Sequence, residues 1–129
     1  MKTISVSPGS VLATESTLLD MVVVRRYYEL FRKRRRVKPI VLLLEPENGR
    51  YYLADGNHKA YAALLAHKRI LEGPLLETDD DVRTYDLGAT KKFRDLAELL
   101  EYCRRQNMAS SKELGVTYIQ DYGSIDYAP

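Results

Sequence analysis

Apolar and polar positions alternate first at Thr3-Ile4-Ser5-Val6-Ser7, the period of a short strand, and Pro8-Gly9 ends it as a turn. Thr17-Leu18-Leu19-Asp20 has capping-box spacing, with Asp in the place of the usual Glu. It predicts a helix through about Arg34, with Leu19, Val22, Val23, Tyr27, Leu30 and Phe31 on its buried face. Pro39 to Leu44 is a continuous apolar run, the pattern of a strand covered on both faces. Pro46-Glu47-Asn48-Gly49 is turn chemistry, and Tyr51-Tyr52-Leu53-Ala54 returns as the second arm of a hairpin. Asp55-Gly56 breaks that arm. A helix is expected from Asn57 to His67, with Ala60, Tyr61, Leu64 and Leu65 inward. Ile70 to Glu77 reads as a further strand, at an edge or bulge because of Gly73-Pro74. A last helix is expected over Lys91 to Gln106, with Phe93, Leu96, Ala97, Leu100 and Cys103 as its stripe. The segment from Val116 onward, rich in Tyr and Asp, is ambiguous between helix and strand. Strand, helix, strand, strand, helix, strand, helix, with a hairpin in the middle, is an α+β order: a small mixed sheet packed against helices, in one domain over residues 1–129.

Composition narrows the classes. At 129 residues the chain can bury one core. No apolar run approaches the ~20 residues of a membrane span, and the first residues lack the apolar stretch of a signal peptide, so a cytoplasmic protein is expected. A single cysteine excludes an internal disulfide and a multi-cysteine zinc site. No metal-ligand motif stands out. The formal net charge of +2 hides a strong asymmetry. Arg25, Arg26, Arg32, Lys33, Arg34, Arg35, Arg36 and Lys38 oppose only Glu29, whereas Glu77 to Asp86 is acidic. The run Arg32-Lys33-Arg34-Arg35-Arg36 is therefore either a solvated helix end, a partner for polyphosphate, or a surface for DNA.

The segment Asp55-Gly56-Asn57-His58-Lys59 carries the most chemistry. A strand ends, a glycine turns the chain, and a helix begins. Its first N–H groups are unsatisfied and bear a partial positive charge. Gly56 permits close approach, while Asn57, His58 and Lys59 add donors, which together make a phosphate cradle. The same residues also suit an ordinary turn in which Asp55 caps the helix and His58 and Lys59 are solvated.

Pro39-Ile40-Val41, the hairpin, and then Asp55-Gly56-Asn57-His58-Lys59 with Ala60 and Ala63 behind it resemble the ParB/sulfiredoxin superfamily over roughly Ile4 to Glu77. Within it the chain most resembles the archaeal branch that includes the free serine kinase, with Thr14-Glu15 matching the His-Glu or Thr-Glu pair just before the first long helix. This resemblance implies Mg²⁺ with ATP or ADP, phosphates on Gly56, Asn57, His58 and Lys59, and Glu15 as general base toward a small hydroxyl-bearing acceptor. It further implies Asp55 orienting that hydroxyl or holding Mg²⁺, and His58 with Lys59 neutralising the transferred phosphoryl group. Asn57 and Lys59 depart from the His and Arg of that branch. The sulfiredoxin box has its catalytic cysteine where Asn57 stands, and Cys103 lies on a predicted apolar stripe, so sulfinic acid reduction is not expected. The length leaves no room for the helix-turn-helix domain of the partitioning ParB proteins. Three functions stay open: a nucleotide-dependent phosphotransferase or hydrolase, a nucleic-acid-binding or nuclease domain using Arg25 to Lys38, and a non-catalytic anion-binding module. Oligomeric state is not legible.

Overall fold

A computed structural model describes residues 1–15, 19–85 and 93–113. Thr17 and the segment from Val116 onward, both interpreted above, lie outside them. Among the described residues four strands and four helices follow in the order β1 (Thr3–Val6), α1 (Met21–Arg32), β2 (Val41–Leu44), β3 (Tyr51–Asp55), α2 (Asn57–Leu65), β4 (Leu71–Pro74), α3 (Asp79–Thr84) and α4 (Leu96–Glu113). β1 pairs antiparallel with β4, and β2 with β3. The two ladders are joined by a parallel bridge from Leu42 to Leu75, and a second parallel bridge sets Leu12 on Tyr52. The N-terminal segment thus serves both edges: β1 borders β4, and Leu12 borders β3. Leu12 receives and gives a backbone bond there, its N–H to the Tyr51 carbonyl (2.7 Å) and its carbonyl to the Leu53 N–H (3.1 Å).

The apolar run has its reason in the layers. Leu42 and Leu53 join one core cluster with Ala60, Tyr61, Val24 and Val11, beneath α1 and α2. Val41, Leu43 and Tyr52 join the other, with Val82, Leu99 and Cys103 of α3 and α4. Helices cover both faces, so Ile40, Val41, Leu42 and Leu43 are all buried, while Pro39 and Leu44, expected in the same buried run, are exposed.

Several element bounds differ from expectation. Asp20 is the N-cap of α1, its side chain accepting the Val22 N–H (2.9 Å), and is not the third helical residue of a box begun at Thr17. The capping box stands instead at Thr78-Asp79-Asp80-Asp81, opening α3, a helix that the acidic pattern concealed. In α1 the buried residue is Val24, while Val22 faces outward at 70% exposure. The periodicity was ambiguous because Val22, Val23 and Val24 are equivalent by hydropathy. α4 begins at Leu96, where Asp95 accepts the Glu98 N–H (2.8 Å), and buries Leu99 and Cys103 most deeply, with Ala97 exposed.

α4 is fastened to the hairpin by an ion pair. Glu45, almost fully buried, accepts from Arg104 Nη2 (2.7 Å) and Nε and from the Tyr52 hydroxyl (3.1 Å). Arg104 and these hydrogen bonds outweigh burial and hold the Glu45 carboxyl down at about 2, against 4.5 ordinarily. A depressed carboxylate stabilises the fold above the unfolded value and loses that contribution as pH falls through the folded one. Because Arg104 is partly solvated, the share is about 2 kcal/mol. The parent protein should therefore lose this stability between pH 4.5 and about 2 in denaturant titrations. Glu45→Gln should be less stable at neutral pH and lack that component of the acid transition. An identical acid profile in the variant would refute the assignment.

Candidate functional site

Glu15 and the Asp55–Lys59 turn, forty residues apart in sequence, line one cleft of about 250 Å³. Its walls are completed by Val23 and Tyr27 of α1 and by Phe93 and Tyr102. α1 and α2 run side by side, and both begin at this cleft: the Asp20 N–H, at the start of α1, donates to His58 Nε2 (3.0 Å) in the first turn of α2.

Gly56 is the N-cap of α2 in the left-handed region, φ +104°, and as glycine it brings no side-chain cap of its own. The first-turn residues Asn57, His58 and Lys59 all line the cleft, where a helix N-terminus carries partial positive charge. Gly56 also has a packing reason to be glycine. A Cβ there would lie 2.7 Å from Ile40 Cγ2, so its bare side meets the core in addition to any ligand approach.

Asn57 is buried and turned inward. Its Oδ1 accepts the Thr14 N–H (2.9 Å) and its Nδ2 donates to Thr14 Oγ1 (2.7 Å), while Thr14 Oγ1 donates to the Leu53 carbonyl (2.9 Å). The amide thus pins Thr14, and Thr14 places the exposed Glu15 at the cleft. What Asn57 offers an anion is its backbone N–H, since its side chain is committed to Thr14. His58 accepts at Nε2, which assigns its proton to Nδ1 and makes the ring neutral as bonded. It is a donor for an anion rather than a second cation.

Lys59 supplies the positive charge. Its Nζ lies 5.6 Å from the centre of the Tyr27 ring, a cation–π placement. Burial lowers its pKa, with Asp55 opposing and Lys38 adding to the shift. Tyr102, which lines the cleft with Glu15, is held above its usual pKa by burial and then by the Glu15 charge. Phe93 and Tyr102 pack with ring centres 5.1 Å apart and planes tilted by 50°. Tyr27, Phe93 and Tyr102 were not singled out from sequence as site residues. The ten tyrosines were a signal for Tyr27 and Tyr102 but not for Phe93, and nothing local says which aromatic residues reach a distant loop.

The five side chains of the basic run are all exposed. Arg32 lies over the Tyr28 ring at 5.9 Å, Lys33 caps α1, Arg34 takes the left-handed conformation with φ +55°, and Arg36 is exposed. Arg35 lines a second cleft. Cys103 is buried away from the site, and burial pushes its thiol up to about 12. Among the described residues no three of His, Cys, Asp and Glu converge as a metal centre, and no helix is long and apolar enough to cross a membrane.

The layered α+β architecture, with the hairpin feeding a glycine turn into α2, defines a sulfiredoxin-like fold. It superposes on sulfiredoxin from Arabidopsis thaliana with a TM-score of 0.51 at 14% identity, over 60% of this chain and 86% of that one. Protein Atu1540 from Agrobacterium tumefaciens aligns with a TM-score of 0.48 at 13% identity, over 89% of this chain and 70% of that one. No protein-family model and no curated protein sequence matches the chain. At such identity the likeness concerns the fold alone.

Proposed function

We propose that the chain is a nucleotide-binding phosphotransferase or nucleotide hydrolase of the kinase-like kind. The observation that supports this most is that Glu15 and the glycine-led start of α2 line the same cleft. Phosphate oxygens accept from the N–H groups of residues 57–59, with Lys59 as the charge and the His58 Nδ1–H as a further donor. Glu15 is the exposed carboxylate opposite them, suited to take a proton from an attacking hydroxyl or water. Asp55 is the carboxylate of the cleft that would hold Mg²⁺ together with phosphate oxygens; the ion would supply charge neutralisation of the leaving phosphate. The cleft is small for a whole nucleotide, so it takes the phosphates and the acceptor oxygen, with the nucleoside at the aromatic rim of Tyr27, Phe93 and Tyr102.

Calorimetric titration with ATP and with ADP, in Mg²⁺, tests the binding half of this reading. Lys59→Ala should weaken the nucleotide by about tenfold, the worth of one charge-assisted bond. The absence of saturable binding by the parent, or an unchanged affinity in the variant, would refute it. Binding with no turnover would leave the anion-binding module as the function.

A further inference from the structure

A second cleft, of about 460 Å³, lies behind the first and shares Lys59 with it. Arg35, Lys38, Lys59 and Lys68 line it, against one carboxylate, Glu72. The chain delivers these cations by repeated geometry. At the end of α1 the Arg35 N–H returns to the Leu30 carbonyl (2.9 Å) across the left-handed Arg34, and at the end of α2 the Lys68 N–H returns to the Ala63 carbonyl (2.9 Å) across the left-handed His67. Both are Schellman closures. Each places its next side chain, Arg35 or Lys68, on the wall of the same cleft. Lys68 Nζ is held 5.2 Å from the centre of the Phe31 ring, as Lys59 is held on Tyr27, so two of the ammonium groups have aromatic seats on α1. Helix ends bearing cations are ordinary, since cations suit the negative end of a helix. Four cations around one concavity are more than that dipole asks for, and like charges at close quarters repel unless an anion joins them.

We propose that this second cleft binds the phosphate groups of a multiply charged anion, through Arg35, Lys38 and Lys68 with Lys59 at its inner end. The set differs from the linear basic run: Arg32, Lys33, Arg34 and Arg36 do not line the cleft, and Lys38, Lys59 and Lys68 do. The site does not depend on the nucleotide reading of the first cleft. Phosphates can come from a free polyphosphate or from a nucleic-acid backbone, and the two share the chemistry recognised here.

The test is titration of the full chain with inorganic tripolyphosphate at about 50 mM salt, where phosphate contacts are least screened. Saturable binding is expected, weakened about tenfold or more in Arg35→Gln/Lys68→Gln. A charge-matched control, Arg25→Gln/Arg26→Gln, exposed and outside both phosphate clefts, should stay within about twofold of the parent. Lys38→Gln repeats the test without altering either helix end, and circular dichroism checks the fold of each variant. No saturable binding, or equal weakening by the control pair, would overturn the proposal. Binding unaffected by Arg35→Gln/Lys68→Gln would also overturn it, while leaving the nucleotide reading of the first cleft intact. A short oligothymidylate identifies the source. If it binds with the same dependence on Arg35 and Lys68, the cleft takes a nucleic-acid backbone; if it fails where tripolyphosphate binds, the cleft takes a free polyphosphate. Either result upholds a phosphate site.

Discussion

The Glu15→Gln protein should bind MgATP about as tightly as the parent and turn it over about 10²- to 10⁴-fold more slowly, the usual worth of a general base. Gln is isosteric with Glu, so it fills the same place while removing the negative charge and the capacity to accept a proton. Glu15 is exposed, so the substitution should cost less than about 0.5 kcal/mol of stability. Thr14, pinned by Asn57, keeps the backbone where it is. Single-turnover measurement at saturating nucleotide separates the chemical step from binding. Unchanged turnover would remove Glu15 from the mechanism. Lost binding instead would mean that the carboxylate acts in holding the nucleotide, as a partner of its Mg²⁺.

The second large effect is on the fold. Gly73 in β4 lies against Ile40, the residue leading into β2, and a Cβ at Gly73 would stand 2.1 Å from the Ile40 carbonyl oxygen. Backbone cannot swing aside as a flexible side chain can. Ile40 is fixed on its other flank by Gly56, whose own Cβ would meet Ile40 Cγ2. Gly73→Ala should therefore destabilise the protein by roughly 3 kcal/mol, as overpacking of a close-packed site does. That corresponds to a fall of about 10 °C in Tm for a domain of this size. Thermal unfolding followed by circular dichroism measures it, and a Tm within about 2 °C of the parent would show that the strands separate easily here. Because Ile40 is the shared neighbour, the same change should disturb the Gly56 turn and weaken ligand binding in the first cleft.

Ile40 illustrates what was not legible along the chain. Gly73-Pro74 indicated an edge or bulge, which accounts for Pro74 at the end of its strand, but not for the glycine. The reason is a backbone carbonyl 33 positions earlier. Likewise Asn57 reads as a donor in a phosphate loop, since a helix-opening Asn has that use locally. Its side chain is instead committed to Thr14, 43 residues away, and this contact carries Glu15 to the cleft. His58 reads as a cation, whereas the Asp20 N–H that it accepts makes it neutral as bonded.

The elements whose evidence is local came through from the amino-acid pattern. These are the hairpin, written in an apolar run, a turn and a return; the helix opened by Gly56; and the α+β order they impose. Their signals lie within a few residues of one another, where turn chemistry and hydrophobic period act directly. The capping box was also written locally, at Thr78 to Asp81, but the same spacing at Thr17 to Asp20 competed with it. Only the tertiary structure decided which valine of α1 faces the core, which aromatic residues reach the cleft, and which of many cations share a cavity. Those outcomes depend on the packing of α1 beside α2 and of α4 across the hairpin. Hydropathy cannot distinguish Val22 from Val24, nor charge distinguish Arg35 from Arg36, until a neighbouring helix covers one side and leaves the other to water.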